Sequence, residues 1–213
     1  MIIFAGVIGA GKTTYATRLA EALESQVFLE SVDDNPILTK YYEDTARYAF
    51  PLQIHFLNKR FELIKQAFNE NNNVLDRSIY EDKIFAWANV ENGNISKEEW
   101  DIYSELLDNM MEEMQDTPKK APDLLVYLDV SFENELENIK KRNRDYEQDP
   151  DLKAYYQQLY HAYGRWIEEY DVSDKLIIPA DHYDIHNEDD WQAVYAQIIE
   201  RLEQVKERQL GGQ

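Results

Sequence analysis

Residues Gly6 to Thr13 read GVIGAGKT, a glycine-spaced run closed by a lysine and a hydroxyl. Glycines at 6, 9 and 11 let the backbone curl so that its N–H groups face one point, which suits the oxygens of a phosphate chain. Lys12 is then placed to reach the β- and γ-phosphates, and the Thr13 hydroxyl to ligate Mg²⁺. A helix starting at this point adds the positive end of its dipole. The pattern identifies a nucleotide's phosphates and leaves open what receives them.

Further residues with chemical potential stand at the ends of apolar runs or on one helix face. Glu30 closes VFLE; if that strand lies beside the first, its carboxylate comes near the γ-phosphate, where it suits a general base on an attacking hydroxyl. Asp76 and Arg77 close VLDR, an acid for the metal side and a fixed guanidinium for phosphate or an acceptor oxygen. Asp129, closing LLVYLD, competes with Asp76 for the metal-side place. Gln53 and Arg60 are two helical turns apart and share a face with Phe56 and Leu57 nearby, so an amide and a guanidinium can read a nucleobase edge inside an apolar groove. Asp82 can hold Arg60 by a bidentate pair. The run KKRNR at 140–144 puts Arg142 and Arg144 on a segment able to close over the transferring phosphate. Tyr155, Tyr156, Tyr160 and Tyr163 read as core and interface residues, and the four histidines lack ligand spacing for zinc.

The elements that must position these groups alternate. Apolar strands are expected at 2–6, 27–30, 74–78, 124–130 and 175–180, and helices at about 13–24, 46–70, 79–91, 96–115, 132–142, 151–170 and 188–208. Residues 31–38 read as a loop, Pro51 as an end to a first turn or a kink, and NNN at 71–73 as a helix breaker. Short strands alternating with helices imply one α/β domain over 1–213, a five-stranded parallel sheet flanked by helices, with ligands at the carboxyl ends of the strands. The 213 residues suffice for a sizeable core, and with no cysteine the chain has neither disulfides nor thiolate metal sites, in keeping with a cytoplasmic setting. A net charge of −20 argues against nucleic acid or an anionic membrane as partner, and MIIFAG carries no features of a signal peptide.

In order and spacing, the stretches GVIGAGKTT, FLESVDDNP, YAFPLQIHFLNKRF, NNNVLDRSIYED, PDLLVYLDVS and KKRNRDYEQ resemble the deoxyribonucleoside kinase family, in particular its bacterial deoxyadenosine/deoxyguanosine members. The resemblance implies a P-loop kinase fold and ATP- and Mg²⁺-dependent phosphorylation of a deoxyribonucleoside 5′-hydroxyl. Gly6, Gly9, Ala10 and Gly11 would then cradle ATP phosphates with Lys12, Thr13 and Thr14, and Thr13 and Asp76 would serve the metal. Glu30 matches the family's general base, and Arg77 the arginine supporting it and the phosphates. Gln53 matches the glutamine on the nucleobase, Arg60 and Asp82 the pair found in members that accept purines or deoxycytidine, and Tyr42 and Glu147 the residues that grip the sugar 3′-hydroxyl. Arg142 and Arg144 lie on what resembles the lid, about 141–149. The adenine of ATP would sit near Ala180–Tyr183, with Asp181 among its contacts. Two departures stand out: Ala86 occupies a position where members often carry a base-stacking phenylalanine, with Phe85 beside it, and Asn138 stands where some carry a third lid arginine, a charge Lys141 is placed to supply. The resemblance also implies a homodimer, through helices around 46–70 and 79–115. A purine nucleoside, deoxyadenosine first, is the expected acceptor, because a fixed Gln53–Arg60–Asp82 set offers donors and acceptors to a purine's polar edge. A nucleoside monophosphate kinase would need extra cations for its acceptor's phosphate, which Glu30 would repel; a non-catalytic nucleotide-binding subunit would have no use for the base, lid and metal-side residues together.

Overall fold

The computed structural model describes residues 1–30, 35–67, 72–115 and 121–211. Five parallel strands form one sheet in the order β2-β3-β1-β4-β5: β1 (Ile2–Ala5), β2 (Val27–Phe28), β3 (Val74–Asp76), β4 (Leu124–Asp129) and β5 (Lys175–Pro179). Ile2 is level with both Val74 and Leu124, so β1 is the central strand and the strands leave the sheet toward one edge. The side chains of β1 and β3 are buried throughout, as expected of strands covered on both faces. The second strand does not lie beside the first. It pairs with β3 and forms the sheet's edge, and it stops at Phe28, so that Glu30 stands just beyond it.

Helices α1 (Lys12–Ala22), α2 (Leu38–Glu43), α3 (Thr45–Ala67), α4 (Asp82–Glu91), α5 (Lys97–Gln115), α6 (Phe132–Arg142), α7 (Leu152–Glu169) and α8 (Glu188–Gly211) flank the sheet. α2 starts at the last residue of the expected loop and runs through residues for which the sequence suggested no element: the Asn35 side-chain oxygen accepts from the backbone N–H groups of Ile37 and Leu38, a local cap that starts the turn. α3 runs unbroken through the exposed Pro51. The expected helix at 79–91 is divided: Ser78 caps a 3₁₀ turn, Ile79–Glu81, before α4 begins. The expected loop at 31–38 and the breaker at 71–73 are described only from Asn35 and Asn72 onward, and Phe68 lies outside the described residues.

Two apolar clusters result. The larger joins the sheet to α1, α3, α7 and α8 through residues such as Phe4, Leu19, Leu57, Tyr163 and Val194. The smaller holds Leu38 and Tyr41 of α2 against Ala49 and Leu52 of α3, with Ile95. It fastens α2 along the wall of a cavity at the carboxyl edge. Among the described residues no helix is long and apolar enough to cross a membrane.

Candidate active site

The cavity, about 1060 Å³, runs over the carboxyl ends of β1 and β3 between the loop after β1, α3, the α6–α7 connection and the segment after β5. Its floor is the β1–α1 loop. Gly9 has φ +77°, and a Cβ there would lie 3.1 Å from the Glu135 carbonyl oxygen of α6. Gly6, at φ +146°, would meet the Leu128 carbonyl at 2.9 Å. Gly6 does not line the cavity: it is the turn that releases β1 into the loop, while Gly9, Ala10, Gly11, Lys12, Thr13 and Thr14 form the wall. The buried Lys12 ammonium folds back on the loop, donating to the carbonyls of Gly6 at 2.9 Å and Val7 at 2.7 Å. Burial first, then the nearby Arg77, brings its pKa down to about 7.

The Thr13 hydroxyl donates to the Asp76 carboxylate. Of the two acids considered for the metal side, Asp76 stands against Thr13, whereas Asp129 is exposed beside Asp181 at the far end of β4. Thr13 and Asp76 offer two adjacent hard oxygen donors, the ligand type Mg²⁺ takes.

Across from the loop stands a charged wall with little access to water. The Glu30 carboxylate receives Arg60 on one oxygen, Nε at 2.8 Å and Nη2 at 2.6 Å, and faces Arg77 Nε at 3.4 Å on the other. Burial alone would raise the pKa of Glu30, but Arg60, Arg77 and Lys12 outweigh it and hold the carboxyl below its usual range. Asp82 pairs with Arg60 from behind; it is 1% exposed and does not itself line the cavity. Arg77 takes a positive φ of 71°, an uncommon backbone for a side-chain-bearing residue. Its Nη1 donates to the Tyr163 hydroxyl at 2.7 Å. Gln53 is buried and lines the cavity with Phe56. Phe85, not Ala86, reaches the cavity; Ala86 is in the core. The Phe85 and Phe56 rings lie 4.9 and 5.1 Å from the guanidinium carbons of Arg77 and Arg60.

The α6–α7 connection closes the third side. Arg142 grips Glu147 through Nε and Nη2, at 2.7 to 3.1 Å, and Arg144 stands 3.7 Å from the same carboxylate. Tyr42 stacks on Tyr146 with ring centres 5.1 Å apart. Asn138 donates to the Gly9 carbonyl at 3.0 Å, so that α6 rests directly on the phosphate-type loop, while Lys141 pairs on the surface with Glu137. Past β5, Asp181 accepts from the Ser131 N–H, which with Asn134 depresses its pKa against the effect of burial. The nearby segment is pinned to α1 because Arg18 donates to the Ile185 carbonyl, pairs with Glu188 and lies over Trp191.

A family model described as deoxynucleoside kinase matches residues 2–205. The chain belongs to the deoxynucleoside kinase family. It is 48% identical to a deoxyguanosine kinase of Lactobacillus johnsonii, covering 96% of this chain and 93% of that protein. It is 44% identical to a deoxyadenosine kinase of Lactobacillus acidophilus, over 96% and 97% of the two chains. A structure of deoxyadenosine kinase from M. mycoides with bound dCTP superposes with a TM-score of 0.80 at 26% identity, covering 94% of this chain and 100% of the other. The fold is thus the α/β architecture of these kinases.

Within this deoxynucleoside kinase, all but two of the sequence-derived site residues line one cavity, the exceptions being Gly6 and Asp82. Three participants were not marked as site residues in the sequence. Glu81, fully buried, sits 3.4 Å from Arg77, one helical turn along the chain, a spacing that could have marked it. Tyr163 belongs to the core as expected, yet also anchors Arg77. Glu135 is fully buried behind the loop with neither carboxylate oxygen hydrogen-bonded, and burial pushes its pKa up to about 8. Nothing in its sequence neighbourhood announces it. Tyr155, read as core, lines the cavity instead.

Proposed function

We propose that this kinase transfers the γ-phosphoryl group of ATP to the 5′-hydroxyl of a deoxyribonucleoside, giving the 5′-monophosphate and ADP. The observation that carries this reading is the face-to-face arrangement of a glycine-rich loop and an ionised, arginine-clamped Glu30 across one cavity. In this reading the loop from Gly9 to Thr14 binds the donor's phosphates, and Lys12 leaves its carbonyl partners for them, since anionic oxygens restore its charge. Glu30 takes the proton of the attacking hydroxyl as the oxygen–phosphorus bond forms and the bond to the β-phosphate oxygen breaks. Arg77 and the lid residues Arg142 and Arg144 stabilise the equatorial charge. Thr13 and Asp76 would hold Mg²⁺, which supplies charge neutralisation at the β- and γ-phosphates when bound. Asp181 and its neighbours border the adenine.

Gln53 presents an amide to the nucleobase, with Phe56 and Phe85 as apolar faces and the Arg60–Asp82 pair behind. Tyr42 and Glu147 take the 3′-hydroxyl and so fix the distance of attack. This set favours a purine, with deoxyadenosine first. A homodimer in the cytoplasm is the assembly we favour. Trp87 on α4 and Ile102 on α5 are 45% and 56% exposed, which leaves apolar surface for a second copy.

The test is turnover with ATP and Mg²⁺ on deoxyadenosine, deoxyguanosine, deoxycytidine and thymidine, with dAMP alongside. Purine nucleosides as best acceptors support the reading. Thymidine as best acceptor contradicts the pocket assignment, and dAMP contradicts the nature of the acceptor.

A further inference from the structure

Arg77 is held in an unusual way for a buried cation. Its backbone, at a φ of 71°, is tied to β1 by an N–H that donates to the Phe4 carbonyl at 3.0 Å. Two carboxylates flank the guanidinium: Glu30 Oε2 lies 3.4 Å from Nε, and Glu81 Oε1 lies 3.4 Å from Nη1. Both distances exceed those of a firm charge-assisted hydrogen bond, about 2.7–2.9 Å. The short contact is with a neutral group, the Tyr163 hydroxyl, which accepts from Nη1 at 2.7 Å. Among the described residues Nη2 makes no hydrogen bond, which leaves it free for a ligand oxygen.

Tyr163 is fully buried on α7 and stands behind Arg77, outside the cavity that Arg77 lines. It has little freedom to move. Its ring is edge-on to Phe85 and to Trp166, with centroids 6.0 Å away in each case. Trp166 in turn donates to the Tyr80 carbonyl at 3.1 Å, which ties α7 to the turn that follows Arg77. Burial holds the phenol of Tyr163 in its neutral form. A guanidinium closed tightly on a carboxylate has its charge offset and its fork occupied. A hydroxyl fixes the fork's direction and leaves the charge to act on what enters the cavity.

We infer that Tyr163 is a positioning residue for phosphoryl transfer: its hydroxyl aims the Arg77 guanidinium toward Glu30 and the transferring phosphate and keeps it from closing onto Glu81. The inference rests on the reading of Arg77 as a group that stabilises the transferring phosphate. Tyr163 cannot act by touching a ligand, because it does not line the cavity. Two of its contacts do line it, Arg77 through the hydroxyl and Phe85 through the ring. Removing the hydroxyl alone separates them.

The test uses Tyr163→Phe, which keeps the ring and its packing, together with Arg77→Lys and the double variant. A lysine nitrogen stands one bond short of Nη1, so Arg77→Lys keeps the charge and loses the contact with Tyr163. In Tyr163→Phe, kcat is expected to fall about 10- to 100-fold while the KM for deoxyadenosine and the Kd of an ATP analogue stay near those of the unsubstituted protein. In the Arg77→Lys background the same substitution is expected to change kcat less than about twofold, because the two residues act as one unit. The ¹⁵N–¹H signals of the Arg77 Nη groups are read in the nucleotide-free protein and assigned by their loss in Arg77→Lys. They are expected to be resolved in the unsubstituted protein and averaged by rotation in Tyr163→Phe. An equal loss of kcat in both backgrounds would overturn the inference and leave Tyr163 a packing residue. A loss confined to the KM for deoxyadenosine would overturn it in favour of Phe85, and Nη signals unchanged in Tyr163→Phe would also overturn it. An unsubstituted protein that phosphorylates no nucleoside would refute the proposed function instead, and the Nη signals would still decide whether Tyr163 fixes Arg77.

Discussion

The two sides of the cavity are built from different materials. The side proposed for the donor is mostly main chain: a loop whose shape comes from glycines with positive φ, backed by Glu135, Asn138 and Ile139 in the middle of α6. The acceptor side is side chain throughout, with Glu30, Arg60, Arg77, Glu81 and Asp82 converging from the ends of β2 and β3 and from α3 and α4. A main-chain site must be contiguous, so its conformation depends on neighbours that touch the loop. A side-chain site can be dispersed, but its buried charges need partners, so its stability and its chemistry rest on the same ion pairs. Damage to the donor side should therefore appear mainly as weaker nucleotide binding. Damage to the acceptor side should appear in turnover and in folding.

The largest expected effect is on turnover. Glu30→Ala should lower kcat about 100- to 10,000-fold while the Kd of an ATP analogue, measured calorimetrically without nucleoside, stays within a few-fold of the unsubstituted protein. Equal losses in both would erase the distinction between the two sides. Next, Asp82→Ala should destabilise the fold by about 3–5 kcal/mol in denaturant unfolding, because it leaves the buried Arg60 without its second partner. A smaller effect is expected on the donor side. Gly9→Ala forces a side chain into a positive-φ position 3.1 Å from a carbonyl oxygen, which should cost about 1–3 kcal/mol and weaken nucleotide binding more than it lowers kcat.

The smallest effect concerns Glu135, whose buried carboxyl lacks hydrogen-bond partners. Its folded pKa of about 8 stands above the ordinary 4.5, so the folded protein holds the extra proton between those values and loses stability as pH rises through that window. Glu135→Met, of similar volume, should flatten this decline and raise the Tm by a few degrees at pH 8, with little change at pH 5. A Tm gain of the same size at both pH values would mean that the carboxyl's charge plays no part.

These differences also explain what the sequence made legible. The donor loop could be read from eight consecutive letters because backbone recognition of phosphate requires consecutive residues. Gln53 and Arg60 could be read as one face because helical spacing is fixed. Their partners across the cavity depend on strand order, which no local pattern specifies. Whether the second strand lies beside the first was open in the sequence; β3 lies between them, and Glu30 meets Arg60 and Arg77, which extend to it. Of the two neighbouring residues set beside the family's phenylalanine, Phe85 lines the cavity and Ala86 lies in the core, a choice of helix face that depends on where α4 begins after the 3₁₀ turn at Ile79–Glu81. α2 was missed because its start depends on one asparagine cap rather than on apolar periodicity. A solitary buried acid such as Glu135 has no signature at all: on a helix, one carboxylate looks like any solvated residue until the neighbouring loop covers it.

The most direct test is transfer of label from γ-labelled ATP to deoxyadenosine, with the unsubstituted protein and Glu30→Gln assayed side by side. The account predicts labelled 5′-monophosphate from the former and a loss of at least about 100-fold in the latter, with nucleotide binding retained. Comparable rates in the two proteins, or label passing to dAMP in preference to deoxyadenosine, would contradict it.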